Sequence, residues 1–93
     1  MRFALFAACF AVPAYAQNPN CAPPQVVVER LVNGYGERRV SIALGAGGTL
    51  VETWANLQSG TWTVVVTQPD GLACMVASGQ SFELINEPQG VDG

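Results

Sequence analysis

Two cysteines, Cys21 and Cys74, are the feature that most constrains what this sequence can fold into. The third cysteine, Cys9, falls in an N-terminal segment that we expect to be removed. Two remaining thiols in a small exported domain predict one disulfide, with no ambiguity in pairing. The chain-entropy model gives such a long loop about 4 kcal/mol, most of the ~5 kcal/mol expected for so small a domain. The alternative is two buried free thiols, which a chain that is not exported would keep.

The N-terminal segment has the three parts of a secretory signal peptide. Met1-Arg2 is the positive start, residues 3–12 are uninterruptedly apolar, and Ala14-Tyr15-Ala16 is a small-x-small cleavage site. We therefore expect residues 1–16 to be removed, which leaves one domain over 17–93. The apolar run spans only about 15 Å as a helix, so it is too short for a membrane anchor. The residues before Cys9 resemble a lipoprotein signal, and lipidation is the weaker alternative.

Composition excludes several classes of function. The chain has no histidine and no lysine, which removes the usual activators of serine nucleophiles and the imidazole ligands of zinc. Its net charge of −3 at pH 7 is opposite to what a nucleic-acid backbone attracts. We accordingly expect no catalytic residue, no metal, no cofactor and no nucleic-acid partner. After residue 16 no segment is long and apolar enough to span a membrane.

The hydrophobic pattern predicts an α+β domain. Residues 23–33 combine an apolar stripe at helical spacing with proline in the first turn and Asn33-Gly34 as a stop, Gly34 being suited to the left-handed position. The β-branched run at 26–28 also suits a strand, which is the alternative for this segment. From Arg38 onward the period changes to two. The predicted fold is one N-terminal helix packed on a four-stranded antiparallel β-meander and pinned by the disulfide.

The strands are predicted from alternation and turn residues. Three of them cover 38–44, 49–56 and 61–67, and the fourth pairs with the third through the turn Gln68-Pro69-Asp70-Gly71. A short additional edge strand is expected over 80–85, and a flexible tail over 86–93.

The same turn sets a register between the last two strands. It places Val66 opposite Cys74 and Val65 opposite Met75, so that these two pairs lie on opposite faces of the sheet. Continued along the strands, the register pairs Val64 with Val76, Trp62 with Ser78 and Thr63 with Ala77.

The disulfide and this register together predict which face the helix covers. Cys21 lies just before the helix, so its bond to Cys74 is expected to hold the helix on the face that carries Cys74. One helix cannot cover both faces, and the opposite face is small, uncharged and moderately apolar. The predicted interaction face consists of Val51, Thr53, Thr63, Val65 and Met75. The alternative is an ordinary solvated sheet face.

Glu52 is the carboxylate in the most unusual position, between Leu50 and Trp54 on one strand face. We expect it to form an ion pair with Arg38 or Arg39. The alternative is a small hydrolase or glycan-acting enzyme that uses Glu52 and a second carboxylate.

Several short motifs occur in a fixed order along the mature chain. They are Cys21-Ala22-Pro23, Tyr35-Gly36-Glu37, Gly60-Thr61-Trp62-Thr63, Pro69-Asp70-Gly71 and Val76-Ala77-Ser78-Gly79-Gln80. In this order the set resembles a group of small secreted alphaproteobacterial proteins. That group has no assigned activity, cofactor or catalytic residue, so the resemblance implies an envelope location and nothing further.

The sequence favours a non-enzymatic exported protein, periplasmic or secreted, that binds an unidentified envelope protein through the open sheet face or an edge strand. One specific form is an inhibitor of a cell-wall hydrolase. A different function is a small-ligand carrier with a pocket between helix and sheet, lined by Trp54 and Trp62. The binding protein is favoured over the carrier because so short a chain seldom forms both a core and a substantial pocket.

Overall fold

A five-stranded antiparallel sheet carries one helix on one of its faces in the computed structural model, which describes residues 20–86. The strand order is β1-β5-β4-β3-β2. The strands are β1 (Cys21–Ala22), β2 (Arg38–Leu44), β3 (Leu50–Ala55), β4 (Trp62–Thr67) and β5 (Ala73–Gly79). The expected α+β class, antiparallel sheet, single N-terminal helix and disulfide are confirmed. The strand count and the simple meander are wrong, because β1 joins the sheet beside β5.

The helix α1 spans Pro24–Glu29 and continues as a π-helical segment, Arg30–Gly34. This confirms a helix where one was expected and rejects the strand alternative. The left-handed residue is not Gly34 but Gly36, at φ +65°. Gly36 donates its N–H to Val32 and the next residue donates to Leu31, so the last carbonyls of the helical segment are satisfied.

The first strand is the element that the sequence pattern did not reveal. Cys21 pairs directly with Cys74 and Ala22 with Ala73. The Cys21–Cys74 disulfide therefore links neighbouring strands, across a sequence separation of 53 residues. The edge strand expected at 80–85 is absent from the structure, where residues 81–86 have no regular conformation. The predicted signal peptide and residues 87–93 of the predicted tail lie outside the described residues.

The register of the last hairpin is right near its turn and wrong beyond it. Gly71 adopts φ +98° and donates to the Gln68 carbonyl, as the turn chemistry requires. Val66 pairs with Cys74 and Val65 with Met75, as expected. A β-bulge then inserts Val76 as an extra residue. It shifts the remaining pairs to Val64–Ala77, Thr63–Ser78 and Trp62–Gly79.

The helix covers the face opposite to the one expected. Val27 and Leu31 pack against Trp54, Val65 and Ala73 to form the core. The reason is the alternation of a strand, in which successive side chains point to opposite faces. Because Cys21 is itself a strand residue, its neighbour Ala22 lies on the other face of the sheet, and the chain enters the helix from that side. The disulfide thus lies on the face that the helix leaves open.

Candidate functional site

The five residues of the predicted interaction face do not form one surface. Thr63 and Val65 are 4% and 2% exposed on the face of the sheet that carries the helix, and Met75 packs against the core there. Val51 and Thr53 lie on the opposite face, where both are half-buried. The predicted face is therefore wrong as one exposed surface. The helix covers the Val65 side of the sheet, and the pairing of β3 with β4 aligns Val51 with Val66 on the other side.

Glu52 forms the expected ion pair, and its partner is Arg39. The Arg39 Nε lies 2.8 Å from a carboxylate oxygen of Glu52, which is buried. The same guanidinium lies over the ring of Trp54, with its central carbon 5.5 Å from the ring centroid. Arg39 therefore neutralises a buried charge and covers an indole in the core. This arrangement accounts for Glu52 as a structural group.

One free edge of the sheet is β2, which pairs with β3 alone among the described residues. Gly45 donates its backbone N–H to Thr49 across the hairpin. Since N–H groups alternate in direction along an antiparallel strand, those of Ile42 and Leu44 point away from β3. Their side chains are 55% and 84% exposed, because the helix lies over the β1–β5 side of the sheet. The edge thus presents unpaired backbone groups beside two apolar side chains.

The start of β2 differs from its end. A bulge at Val40 interrupts the pairing with β3, and Arg38 and Arg39 precede it. Bulges and charged side chains are common devices that keep edge strands from pairing with other chains. These devices lie only in the first half of this strand, and residues 41–44 form a regular edge with which no other described strand pairs.

A cleft of about 560 Å³ lies between the end of the helical segment and the second half of β5, and we refer to it as the β5 cleft. Arg30, Tyr35 and Glu37 line one side of it. Trp62 lines another, and its indole Nε1 donates to the Gln80 carbonyl at 3.1 Å. Of the two tryptophans expected to line a pocket, Trp62 lines this cleft, whereas Trp54 belongs to the core.

Glu37 is the residue of the β5 cleft that the sequence analysis did not single out. It follows the left-handed Gly36, and its backbone N–H binds the Leu31 carbonyl, which holds it under the end of the helical segment. The side chain is 3% exposed, and its Oε1 accepts no hydrogen bond from residues 20–86. Leaving a buried acceptor without a donor costs about 1–3 kcal/mol. Buried polar atoms are rarely left unpaired, and an ordered water, an ion or a ligand are the groups that can supply a missing donor.

No ion pair within residues 20–86 satisfies Glu37, since the one found there joins Arg39 to Glu52. Arg30 lines the same cleft and is exposed. The β5 cleft therefore combines a cationic and an anionic side chain that form no ion pair with each other.

Comparison with protein-family models, with curated proteins and with solved structures gave no match. In the part of the chain that the structure describes, no helix is long and apolar enough to cross a membrane. Within the same residues, no group of three or more His, Cys, Asp or Glu side chains is placed to hold a metal ion.

Proposed function

We propose that this chain is a small, non-enzymatic exported protein that binds another protein of the cell envelope by accepting a strand at the free edge of β2. The observation that carries the proposal is the regular edge of residues 41–44, with its outward N–H groups and exposed apolar side chains. Strand addition at a sheet edge draws its affinity from backbone hydrogen bonds and its specificity from alternate side chains.

The side chains of β2 fit this kind of recognition. Ile42 and Leu44 lie on the same side of the strand, two residues apart, as expected for pockets or contacts that read alternate positions of a partner strand. Exposed large apolar residues on a regular edge are a liability in a protein that works alone. Retaining them therefore favours a partner that covers them.

The disulfide supports the proposed location. Disulfides persist in oxidising compartments, such as the periplasm and the outside of the cell, and are rare in the cytosol. Cys21 and Cys74 are both buried, and they join the first strand to the last. Together with the predicted signal peptide, this favours a periplasmic or secreted protein.

The proposal is tested with the mature chain, residues 17–93, cross-linked in envelope extract to capture its partner. The partner is then purified and its affinity is compared for three forms of the chain. Ile42→Pro removes an outward N–H without touching the ladder to β3, since proline is tolerated on edge strands. Ile42→Ala is the matched control, because it shortens the same side chain and keeps the N–H.

Strand addition predicts that Ile42→Pro weakens binding about tenfold or more, as expected for a lost hydrogen bond together with a clash on the partner strand. Ile42→Ala is expected to weaken it less than Ile42→Pro. Equal affinity of the wild type and Ile42→Pro, with both chains folded, contradicts the proposal. So does the absence of any stoichiometric partner in the extract.

A further inference from the structure

We infer that the β5 cleft is a second binding site, and that its ligand is a small zwitterion of the α-amino acid class. Its ammonium group binds the Glu37 carboxylate and its carboxylate binds the Arg30 guanidinium. The site is independent of the β2 edge, since β2 and β5 are separated in the sheet by β3 and β4.

The first support is the enclosed carboxylate. Glu37 is more than nine-tenths buried, lines the cleft, and has an oxygen that receives no donor from residues 20–86. An ammonium group supplies up to three donors and a compensating charge, and charge-assisted hydrogen bonds are the strong ones. A cationic group on the ligand therefore satisfies what the folded chain leaves unsatisfied.

The second support is Arg30, which excludes a ligand that is only a cation. It lines the same cleft, and a purely cationic ligand would meet its positive charge. A carboxylate next to the ammonium group turns that repulsion into an attraction, because guanidinium binds carboxylate through two parallel hydrogen bonds. The two charges of the wall thus select a molecule that carries both complementary charges.

The third support is the shape and the remaining lining of the cleft. A volume of about 560 Å³ lies within the ~300–1,000 Å³ typical of small-molecule sites. Tyr35 and Trp62 are among the residues that line it. On the far side of β5, residues 76–79 extend beyond the short β1, which pairs only with Cys74 and Ala73. Their backbone therefore borders the cleft instead of a neighbouring strand within the described residues.

The experiment is an NMR titration of the ¹⁵N-labelled mature chain with each of the twenty free amino acids. The reporters are the indole N–H of Trp62 and the backbone amides of Ser78 and Gly79, all of which belong to cleft residues. The amino acid that binds best is then compared with its decarboxylated amine and its deaminated acid. Each of these two probes keeps the same side chain and one of the two charges.

Two variants and two matched controls complete the design. Glu37→Gln and Arg30→Gln each remove one charge of the cleft wall. Glu83→Gln and Arg38→Gln remove the same charges from exposed residues that do not line the cleft. Because Arg30 is exposed, its variant leaves the fold intact even where Glu37→Gln does not.

We expect at least one amino acid to shift the reporters. The two single-charge probes are expected to bind the wild type at least about tenfold more weakly than this amino acid does, and the two cleft variants to bind the amino acid at least about tenfold more weakly than the wild type does. The control variants are expected to bind as the wild type does. Three outcomes overturn the inference. They are no reporter shift with any amino acid, an amine that binds as tightly as its amino acid, and unchanged binding by Arg30→Gln.

Discussion

Truncating two neighbouring valines of β4 tests which face of the sheet the helix covers. Val65 is 2% exposed and packs against the helix, whereas Val66 is half-buried on the face of the disulfide. The two residues have the same chemistry, the same strand and adjacent positions. Val65→Ala and Val66→Ala therefore differ in what each side chain contacts.

The expected magnitudes follow from burial. Each buried methyl group is worth about 0.8 kcal/mol of transfer free energy, and Val65→Ala deletes two of them. The cavity that remains adds to this, for a total of about 2–3 kcal/mol. In a domain of this size that lowers the melting temperature by roughly 10–20 °C. Val66→Ala is expected to cost about 1 kcal/mol or less, since its side chain is only partly buried and is not part of the core beneath the helix.

The assay is urea unfolding of both oxidised variants, followed by tryptophan fluorescence and by far-UV circular dichroism. Coincident transitions establish the two-state condition that the comparison needs. If Val66→Ala lowers the free energy of unfolding as much as Val65→Ala does, the description of the helix as covering only the Val65 face is wrong. A larger loss for Val66→Ala would place the helix on the disulfide face.

Four further predictions concern stability. Reducing the disulfide is expected to lower the free energy of unfolding by about 4 kcal/mol, and an unchanged urea midpoint after reduction would argue against its structural role. Arg39→Ala is expected to cost roughly 1–2 kcal/mol by exposing a buried carboxylate and an indole, whereas the exposed Arg38→Ala stays within about 0.5 kcal/mol; equal losses in thermal melts would refute the pairing. Gly79→Ala is expected to cost about 1–3 kcal/mol, because the added Cβ would lie 2.9 Å from the ring of Trp62. Gly34→Ala meets no atom closer than 4.0 Å and is expected to stabilise the helical segment by about 0.5–1 kcal/mol, so a loss of stability there would count against the helical assignment.

Local signals in the sequence correctly predicted those parts of the fold that local chemistry decides. The prolines before residue 25 and the apolar stripe predicted the helix, and the turn before Gly71 predicted the register of its first two pairs. Two one-residue effects then changed the outcome. The bulge at Val76 shifted every later pair, and the inclusion of Cys21 in a strand moved the helix to the other face. Neither a bulge nor a two-residue strand leaves a periodic pattern, because both are decided by tertiary packing.

In the candidate sites, too, one residue's role could be predicted from the sequence and another's could not. The pairing of Glu52 with an arginine was predictable from the charges on neighbouring strands, and the structure selects Arg39. The role of Glu37 was not predictable, because its burial depends on the end of the helical segment lying beside β4 and β5. The one local sign was its place directly after a glycine in the left-handed conformation.

The proposed strand addition at β2 is tested most directly by amide hydrogen exchange with and without the captured partner. The N–H groups of Ile42 and Leu44 are expected to exchange quickly in the free chain, because each faces away from β3 and has no strand beside it within residues 20–86. In the complex we predict slow exchange at both residues, with little change at Ala43, whose N–H already faces β3. Unchanged, fast exchange at Ile42 and Leu44 in a saturated complex would contradict the account.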